Sequence, residues 1–419
     1  MRILFLYSCL PLGGIETFLV RMIKQLHGRN IPVTVLFFTH KFDEGLLNEL
    51  KQYATVCHWD DYVYAPRFFK KGFPILKLLF PLRIDKLKRE ILSNVTHIHA
   101  PDTNSMLFSA RLLKLNPGIN LTTGVYHINE FNVKTFTGSF FGKKINEFLQ
   151  KLPSQNITFY SEMSRSFYES GYDGKFGESN LVPIGINLEK YEGCQSGVQN
   201  KRVVSIGRLT AWKKYNFQMI EIIKSMNKKG VFLHYDSYGD GIEREKLEQI
   251  VKEERLEKQI IFHSGVPYHL FKETINDSLM FIGAGTALIE ASACAIPAMI
   301  GIENEQDPVT YGFLHNTHTY SYQEKGLDYP VNFIETYIDK LLNQSKDEYE
   351  EECNKARKRA FDFSIQKSEE VFCEMIKNSR NFKFTIRWTE SLFFVISLSM
   401  HLIMSKIKGT YGESFFKRL

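Results

Sequence analysis

The sequence predicts an α/β protein made of two doubly wound domains, each organised around its own parallel β-sheet. Three observations predict it. The chain of 419 residues is longer than one hydrophobic core usually organises, which favours two domains of about 200 residues each. The same opening occurs twice: an apolar strand, a glycine-containing turn and an amphipathic helix, the start of a βαβ unit. After each opening, short apolar runs alternate with helical stretches, as a parallel sheet with covered faces requires.

The first opening runs through residues 3–7, Gly13 and Gly14 into a helix from about Ile15. Its apolar run is short and ends in a glycine turn, without the longer apolar region and small-residue cleavage site of a signal peptide, so it reads as a buried first strand. Further strands are expected at 33–38, 96–99, 121–126 and 157–160. Residues 182–199 contain Pro183, Gly185, Gly193 and Gly197 and hold no sustained period, which marks a linker and hinge with the boundary near residue 190. The second opening passes from 203–206 through Gly207 into a helix near Asn216, with later strands at 231–238, 260–263, 279–283 and 298–302. No repeat of solenoid length and no low-complexity tract occurs.

Composition narrows the function. Hydrophobic residues make up 43% and charged residues 24%, as in an ordinary folded protein, which excludes a disordered or collagen-like chain. A net charge of +6 is too weak to argue for nucleic acid, and no nucleic-acid partner is expected. The six cysteines are scattered with no C-x-x-C pair, so neither a zinc site nor a disulfide framework is indicated and a reducing cytoplasm fits.

Two segments carry candidate chemistry. In FIGAGTALIEASACAIPAMI a strand ends at Ile282, Gly283 and Gly285 follow, and a helix starts near Thr286. Such a turn points free backbone N–H groups and the positive helix end at a ligand, which suits a diphosphate. Glu290, just inside that helix, can accept hydrogen bonds from a ribose diol; a solvated glutamate on a plain strand-to-helix turn is the alternative. In GRLTAWKK, Arg208 leaves the end of the second domain's first strand and Lys213 follows five residues on. Ligands of open α/β sheets gather at the carboxyl ends of strands, so these cations can neutralise a departing diphosphate, unless the loop is only solvated.

Taken with LPLGGIETFLVRMIKQL, ITFYSEMSRSFYESGY, NLVPIGINLEKYE and SYGDGIEREKLEQIV, these segments resemble, in order and spacing, the retaining glycosyltransferase family 4 over nearly the whole chain. The resemblance implies a GT-B fold, two Rossmann-like doubly wound domains facing across a cleft. It divides the chain into an acceptor-binding domain at 1–185, a nucleotide-sugar-binding domain at 186–380 and a helical tail at 381–419 that returns to the first domain or lies on a membrane surface. It implies a hexosyltransferase-type enzyme in which Arg208 and Lys213 bind the donor diphosphate, with Lys214 as the fallback for Lys213. Glu290 would hold the ribose, and the backbone at Ala287 and Leu288 would meet the phosphates beside Gly283 and Gly285. Gly13 and Gly14 would let the first-domain loop approach donor and acceptor, with Glu16 a helix-start residue. His127, just after a first-domain strand, is the third catalytic candidate with Arg208 and Lys213, whereas His97 and His99 read as strand residues.

One departure stands out. The family carries two glutamates separated by seven residues, and the first falls here on Ile282. The missing carboxylate admits a degenerate homologue that binds nucleotide or glycan as a partner protein; an epimerase of the same fold is a more distant alternative. No Asp-x-Asp occurs, so neither a metal nor a cofactor beyond the nucleotide-sugar co-substrate is expected, and Arg208, Lys213 and the helix N-terminus would take over a cation's work.

Two segments suit a membrane surface. Residues 66–92 interleave Arg67, Lys70, Lys71, Lys77, Arg83, Lys86, Lys88 and Arg89 with Phe and Leu, as at an anionic bilayer; a core helix with a solvated basic face is the alternative. Residues 392–404 are apolar but too short to span a bilayer, and they precede Lys406, Lys408, Lys417 and Arg418. The expected partners are therefore a nucleotide sugar, a lipid-linked or polysaccharide acceptor of the bacterial cell surface (a growing polysaccharide or lipopolysaccharide) and an anionic membrane. The expected location is cytoplasmic, peripheral to the inner face of the membrane.

Overall fold

The computed structural model describes residues 1–66, 74–128, 130–131, 139–191, 193, 197 and 200–407. The chain divides into two compact units: Met1–Gly185 with Ile365–Leu419, and Ile186–Ser364.

The first unit is built on a parallel sheet of β1 (Ile3–Tyr7), β2 (Val33–Phe37), β3 (Thr55–His58), β4 (His97–His99), β5 (Asn120–Val125), β6 (Ile157–Phe159) and β7 (Asn180–Leu181), in the order β3-β2-β1-β4-β5-β6-β7. Every residue of β1 and β2 is buried, as expected of strands covered on both faces. The period of two sorts their side chains: Leu4 and Leu6 enter one core with Phe108, Phe148 and Phe159, while Ile3, Phe5 and Tyr7 enter the other with Phe18, Ile23 and Phe372. The sheet grows outward from β1 in both directions, so the chain changes direction between β1 and β4 and leaves a crevice at their carboxyl ends.

The second unit repeats the plan with β8 (Arg202–Ile206), β9 (His234–Tyr238), β10 (Ile260–His263), β11 (Met280–Gly283) and β12 (Ala298–Ile300), in the order β10-β9-β8-β11-β12. Its switch point lies between β8 and β11. Here Val203, Met280, Ile282 and Met299 face one core, and Val204, Phe281, Ala298 and Ile300 face the other.

The strands expected from the sequence are present, most of them a residue or more shorter; besides a separate two-stranded pairing of Val309–Thr310 with Asn332–Phe333, β3 and β7 are additional. Neither shows the apolar signal of an inner strand, because β3 is a sheet-edge strand with partly exposed side chains and β7 has two residues.

Three expectations need correction. The second unit ends at Ser364, not 380, because the helix Ile365–Asn378 buries Phe372, Cys373, Met375 and Ile376 in the first unit's core. There Phe372 stacks on Phe5 at 5.8 Å between ring centroids, and Glu369 pairs with Arg29 at 2.7 Å. Lys77, grouped above with membrane-facing cations, is buried: its ammonium lies 2.7 Å from the Asp60 carboxylate and donates to the Phe38 carbonyl at 2.6 Å. Around it Leu78, Leu87, Ile91 and Leu92 are core residues, whereas Lys88 and Arg89 are solvated. Leu288, expected to offer its backbone to phosphates, already donates its N–H to the Gly285 carbonyl.

Arg67, Lys70, Lys71, Lys408, Lys417 and Arg418, and part of the 182–199 linker, lie outside the described residues, as does the side chain of Lys406. The last described helix, Trp388–Ile407, packs Phe394, Val395 and Leu398 into the first unit's core and leaves Phe393, Ile396, Met400 and Ile403 exposed. Among the described residues no helix is long and apolar enough to cross a membrane.

Candidate functional site

The second unit's switch point gathers most of the candidate residues. β8 ends at Ile206 and the chain turns at Gly207, whose N–H donates to the Tyr238 carbonyl of β9 at 2.9 Å. A Cβ at Gly207 would sit 2.5 Å from the Lys213 ammonium, so this glycine leaves the room that the lysine occupies. Arg208 is exposed, whereas Lys213 is 8% exposed. No hydrogen bond or ion pair reaches the Lys213 ammonium among the described residues. Burial, and then the neighbouring Arg208 charge, push its pKa down to about 8, with Glu303 opposing. Lys214 instead caps the helix Tyr215–Lys228 and holds its ammonium 5.7 Å from the Phe217 ring centroid.

A buried polar network fixes the Lys213 loop. Asn216 donates to the Lys213 carbonyl at 3.2 Å and accepts from Tyr235 at 2.8 Å and Ser237 at 3.2 Å. Ser205 closes it, 2.7 Å from the Tyr235 hydroxyl and 3.0 Å from Ser237. Each member satisfies another, which sets one geometry for the loop. Sequence reading missed this network. Its signal was the polar residues at buried positions of β8 and β9, Ser205 and Ser237.

Across the switch point, β11 ends at Gly283 and the helix Thr286–Ala293 begins after Gly285. Gly285 has φ of 77°, a left-handed conformation that glycine adopts without strain. The Gly285 N–H is taken by the Gln323 side chain, and its carbonyl accepts from Tyr322 at 3.3 Å. Among the described residues the Thr286 and Ala287 amides have no acceptor at the positive end of the helix. Glu290 is buried, not solvated, and Leu288 lies wholly in the core. Ile282 is fully enclosed, opposite Met299 of β12, as the inward residue of an alternating strand.

Two further loops complete the rim. After β12 the Gly301 amide donates to the Gly283 carbonyl at 2.7 Å, Asn304 donates to Trp212 of the Lys213 loop at 2.9 Å, and Glu303 donates its N–H to Gln323 at 2.8 Å. Glu303 is half-buried, and burial followed by the nearby Glu324 charge raises its carboxyl to about 7, with Lys213 opposing. Neither Glu303 nor Gln323 was singled out in the sequence, since both sit in loops without periodicity.

The remaining candidates belong to the first unit. Gly13 and Gly14 open the helix Gly14–Gly28, with the buried Glu16 carboxylate folded against the Gly13 α-carbon. His127 is exposed in the loop after β5. Between these, at the carboxyl ends of β1 and β4, Ser8 donates to Asp102 at 3.3 Å and accepts from Asn104 at 3.3 Å. His99 is a β4 core residue between Phe5 and Phe372, hydrogen-bonded to Thr122 at 3.1 Å and Tyr126 at 3.2 Å, and burial drops its pKa to about 3. Among the described residues no group of acidic, His or Cys side chains could hold a metal ion.

Known proteins share this plan. A family model described as Glycosyltransferase Family 4 matches residues 12–190, and one described as Glycosyl transferases group 1 matches residues 195–302, between them more than half of the chain. No curated sequence matches the chain. The solved structures that resemble it include HepE of Anabaena in complex with UDP, at 14% identity and a TM-score of 0.62 over 90% of this chain and 100% of that one. A variant of TarM from S. aureus, in complex with Fondaparinux, alpha-GlcNAc-glycerol and UDP, is 12% identical with a TM-score of 0.59 over 90% and 100% of the two chains. Sucrose-phosphate synthase of Thermosynechococcus elongatus is 12% identical with a TM-score of 0.60 over 90% and 98%. Two parallel Rossmann-like sheets, the paired family matches and these neighbours place the protein in glycosyltransferase family 4, as a group 1 glycosyltransferase of the GT-B fold.

Proposed function

We propose that the protein transfers a sugar, with retention at the anomeric carbon, from a nucleoside-diphosphate sugar to a lipid-linked or polysaccharide acceptor of a bacterial cell-surface glycan such as lipopolysaccharide. The observation that carries the donor half is Lys213, a buried cation with no anion in contact, beside Arg208 and across the switch point from the unpaired Thr286 and Ala287 amides. A desolvated ammonium without a counter-ion is costly in the empty site and strongly favours an anion that fills it. HepE and the TarM variant both hold UDP in their solved structures, which supports a uridine nucleotide as the first donor to test.

In the reaction the bond between the anomeric carbon and the diphosphate breaks, and the acceptor hydroxyl oxygen bonds to that carbon on the same face while its proton passes to the departing diphosphate. Charge gathering on the departing diphosphate is met by Lys213, Arg208 and the helix amides, so no metal ion is required. Glu290 holds the nucleotide ribose, Gly283 and Gly285 admit the phosphates, and Gly13, Gly14 and His127 serve the sugar and acceptor. The acceptor is met at the inner face of the membrane, where the exposed stripe Phe393, Ile396, Met400 and Ile403 rests on the bilayer.

A second reading has one observation in its favour: Ile282 is a core residue, so the family's first carboxylate has no counterpart at that position. On that reading the protein binds nucleotide or glycan without turnover. A panel of nucleotide sugars tests both, with donor hydrolysis and binding measured on the same preparations. Glu290→Ala is expected to weaken donor binding at least tenfold; binding by none of the panel overturns the proposal, and tight binding without product on any glycan or lipid acceptor moves it to the second reading.

A further inference from the structure

The loop after β12 brings a carboxyl group to the donor cradle that the family pattern does not supply. Glu303 lies between two backbone ties: its own N–H on Gln323, whose side chain caps the Gly285 amide, and the next amide, Asn304, on Trp212, the residue before Lys213. These hydrogen bonds sew the 301–305 loop to both walls of the cradle, the Lys213 loop and the turn that opens the Thr286–Ala293 helix. Among the described residues no Lys or Arg comes within ion-pair distance of Glu303, and Lys213 is the cation whose charge it feels.

We propose that Glu303 is a further residue of the donor site, a carboxylate held near Lys213 without pairing with it, and that it gives way by taking up a proton from solvent when a diphosphate arrives. The inference rests on the donor reading of the Lys213 site given above. The empty cradle holds one buried ammonium and, outside ion-pair distance of it, one half-buried carboxyl. A diphosphate seated on Lys213 brings two further negative charges to the same place, and Glu303 is the anion that can be neutralised, since a diphosphodiester cannot be protonated near neutral pH.

The charged surroundings of Glu303 all push the same way once ligand is bound. From its own loop comes Glu305, engaged by Lys325 at 3.1 Å; from the 320–324 segment comes Glu324; from the Lys213 loop come Lys213 and Arg208, both then committed to phosphate; and Tyr215 at the head of the next helix stays a neutral phenol, its pKa raised by burial. Glu303 is thus a positioning residue. Its ionised form opposes an incoming diphosphate, and its protonated form leaves the Lys213 ammonium to the leaving group alone.

The test is calorimetric titration with UDP-glucose, and with ADP- and GDP-glucose, in two buffers of different ionisation enthalpy. A nucleotide sugar is used because a free nucleoside diphosphate would itself titrate near pH 6. The full chain is expected to take up about half a proton per ligand at pH 7, and its affinity to fall roughly fourfold between pH 6 and pH 7.5. Glu303→Gln is expected to bind with only the roughly one tenth of a proton that Lys213 takes up at pH 7 and a flattened pH profile, while Glu305→Gln on the same loop behaves as the unaltered protein. Glu324→Gln, which removes the neighbouring negative charge and so lowers the pKa of Glu303 in the empty protein, is expected to move the uptake to lower pH and supplies an answer if Glu303→Gln does not fold. Binding without proton uptake, uptake undiminished in Glu303→Gln, or an uptake profile that stays at the same pH in Glu324→Gln overturns the role given to Glu303. Failure of every nucleotide sugar to bind overturns instead the donor reading beneath it.

Discussion

Replacing Ile282 by Glu puts back the residue that the family pattern expects, and the structure predicts that it damages the protein instead. Ile282 is 0% exposed, an inward side chain of β11 packed with Val203, Met280 and Met299 in the second unit's core. Losing its burial costs about 2 kcal/mol. A carboxyl left there stays neutral only if its pKa climbs above 7, about three pH units, or roughly 4 kcal/mol at neutral pH. The sum of about 6 kcal/mol rivals the whole stability of a typical domain, whereas Ile282→Val should cost about 1 kcal/mol. The assay is guanidinium unfolding at pH 7 and pH 5, followed by the fluorescence of Trp212 in the second unit. At pH 5 protonation is cheaper, and the Ile282→Glu penalty should shrink by about 2 to 3 kcal/mol. An Ile282→Glu protein as stable as Ile282→Val at both pH values would refute the core assignment of position 282 and make it available to the sugar again.

Other outcomes follow from the same physics. Lys213→Met should lower nucleotide-sugar affinity at least tenfold yet stabilise the empty protein: folded Lys213 sits near 8, below its ordinary value, so its burial penalty is full below pH 8 and fades as pH rises toward 10.5, and the gain from methionine should fade with it in pH-dependent melts. Lys214→Met should leave both nearly unchanged. His99, held neutral by burial with a pKa near 3, makes the first unit lose stability as pH falls from about 6.5, because only the unfolded chain takes up its proton there; His99→Phe should flatten that acid limb in denaturation curves. Replacing Phe393, Ile396 and Met400 together by Ser should cut co-sedimentation with vesicles containing anionic lipid at least tenfold without lowering Tm, since all three are exposed; an unchanged sedimentation counts against membrane docking through this helix.

What could be read in the sequence divides along physical lines. The inner strands and the helix starts after Gly14 and Gly285 are local features, set by runs of apolar residues and by glycines, and the structure has them. The helix Ile365–Asn378 was assigned to the wrong domain because its amphipathic pattern says only that one face is buried, not against which core. Lys77 was misjudged for the complementary reason: its partner Asp60 lies seventeen positions away in a stretch without periodicity, and a basic residue beside Leu and Phe looks the same whether it is paired inside or solvated outside. The Asn216 network and Glu303 depend on chain segments that meet only in the folded sheet, so no window of sequence contains them.

The two units also show why topology alone would not say which of them takes an anion. Both switch points offer the same crevice at the carboxyl ends of inner strands, and both lead into a helix whose first amides face it. In the first unit that crevice is lined by Ser8, Asp102 and Asn104, and the Glu16 carboxylate is folded over the helix start. Negative groups already satisfy the positive helix end there, so a diphosphate would meet repulsion, while sugar hydroxyls would find acceptors. In the second unit the corresponding crevice has Arg208 and a desolvated Lys213, with the Glu303 carboxyl nearby raised by burial to about 7. On the proposed reading, the division of labour between donor and acceptor halves is set by a few loop side chains placed on two copies of one architecture.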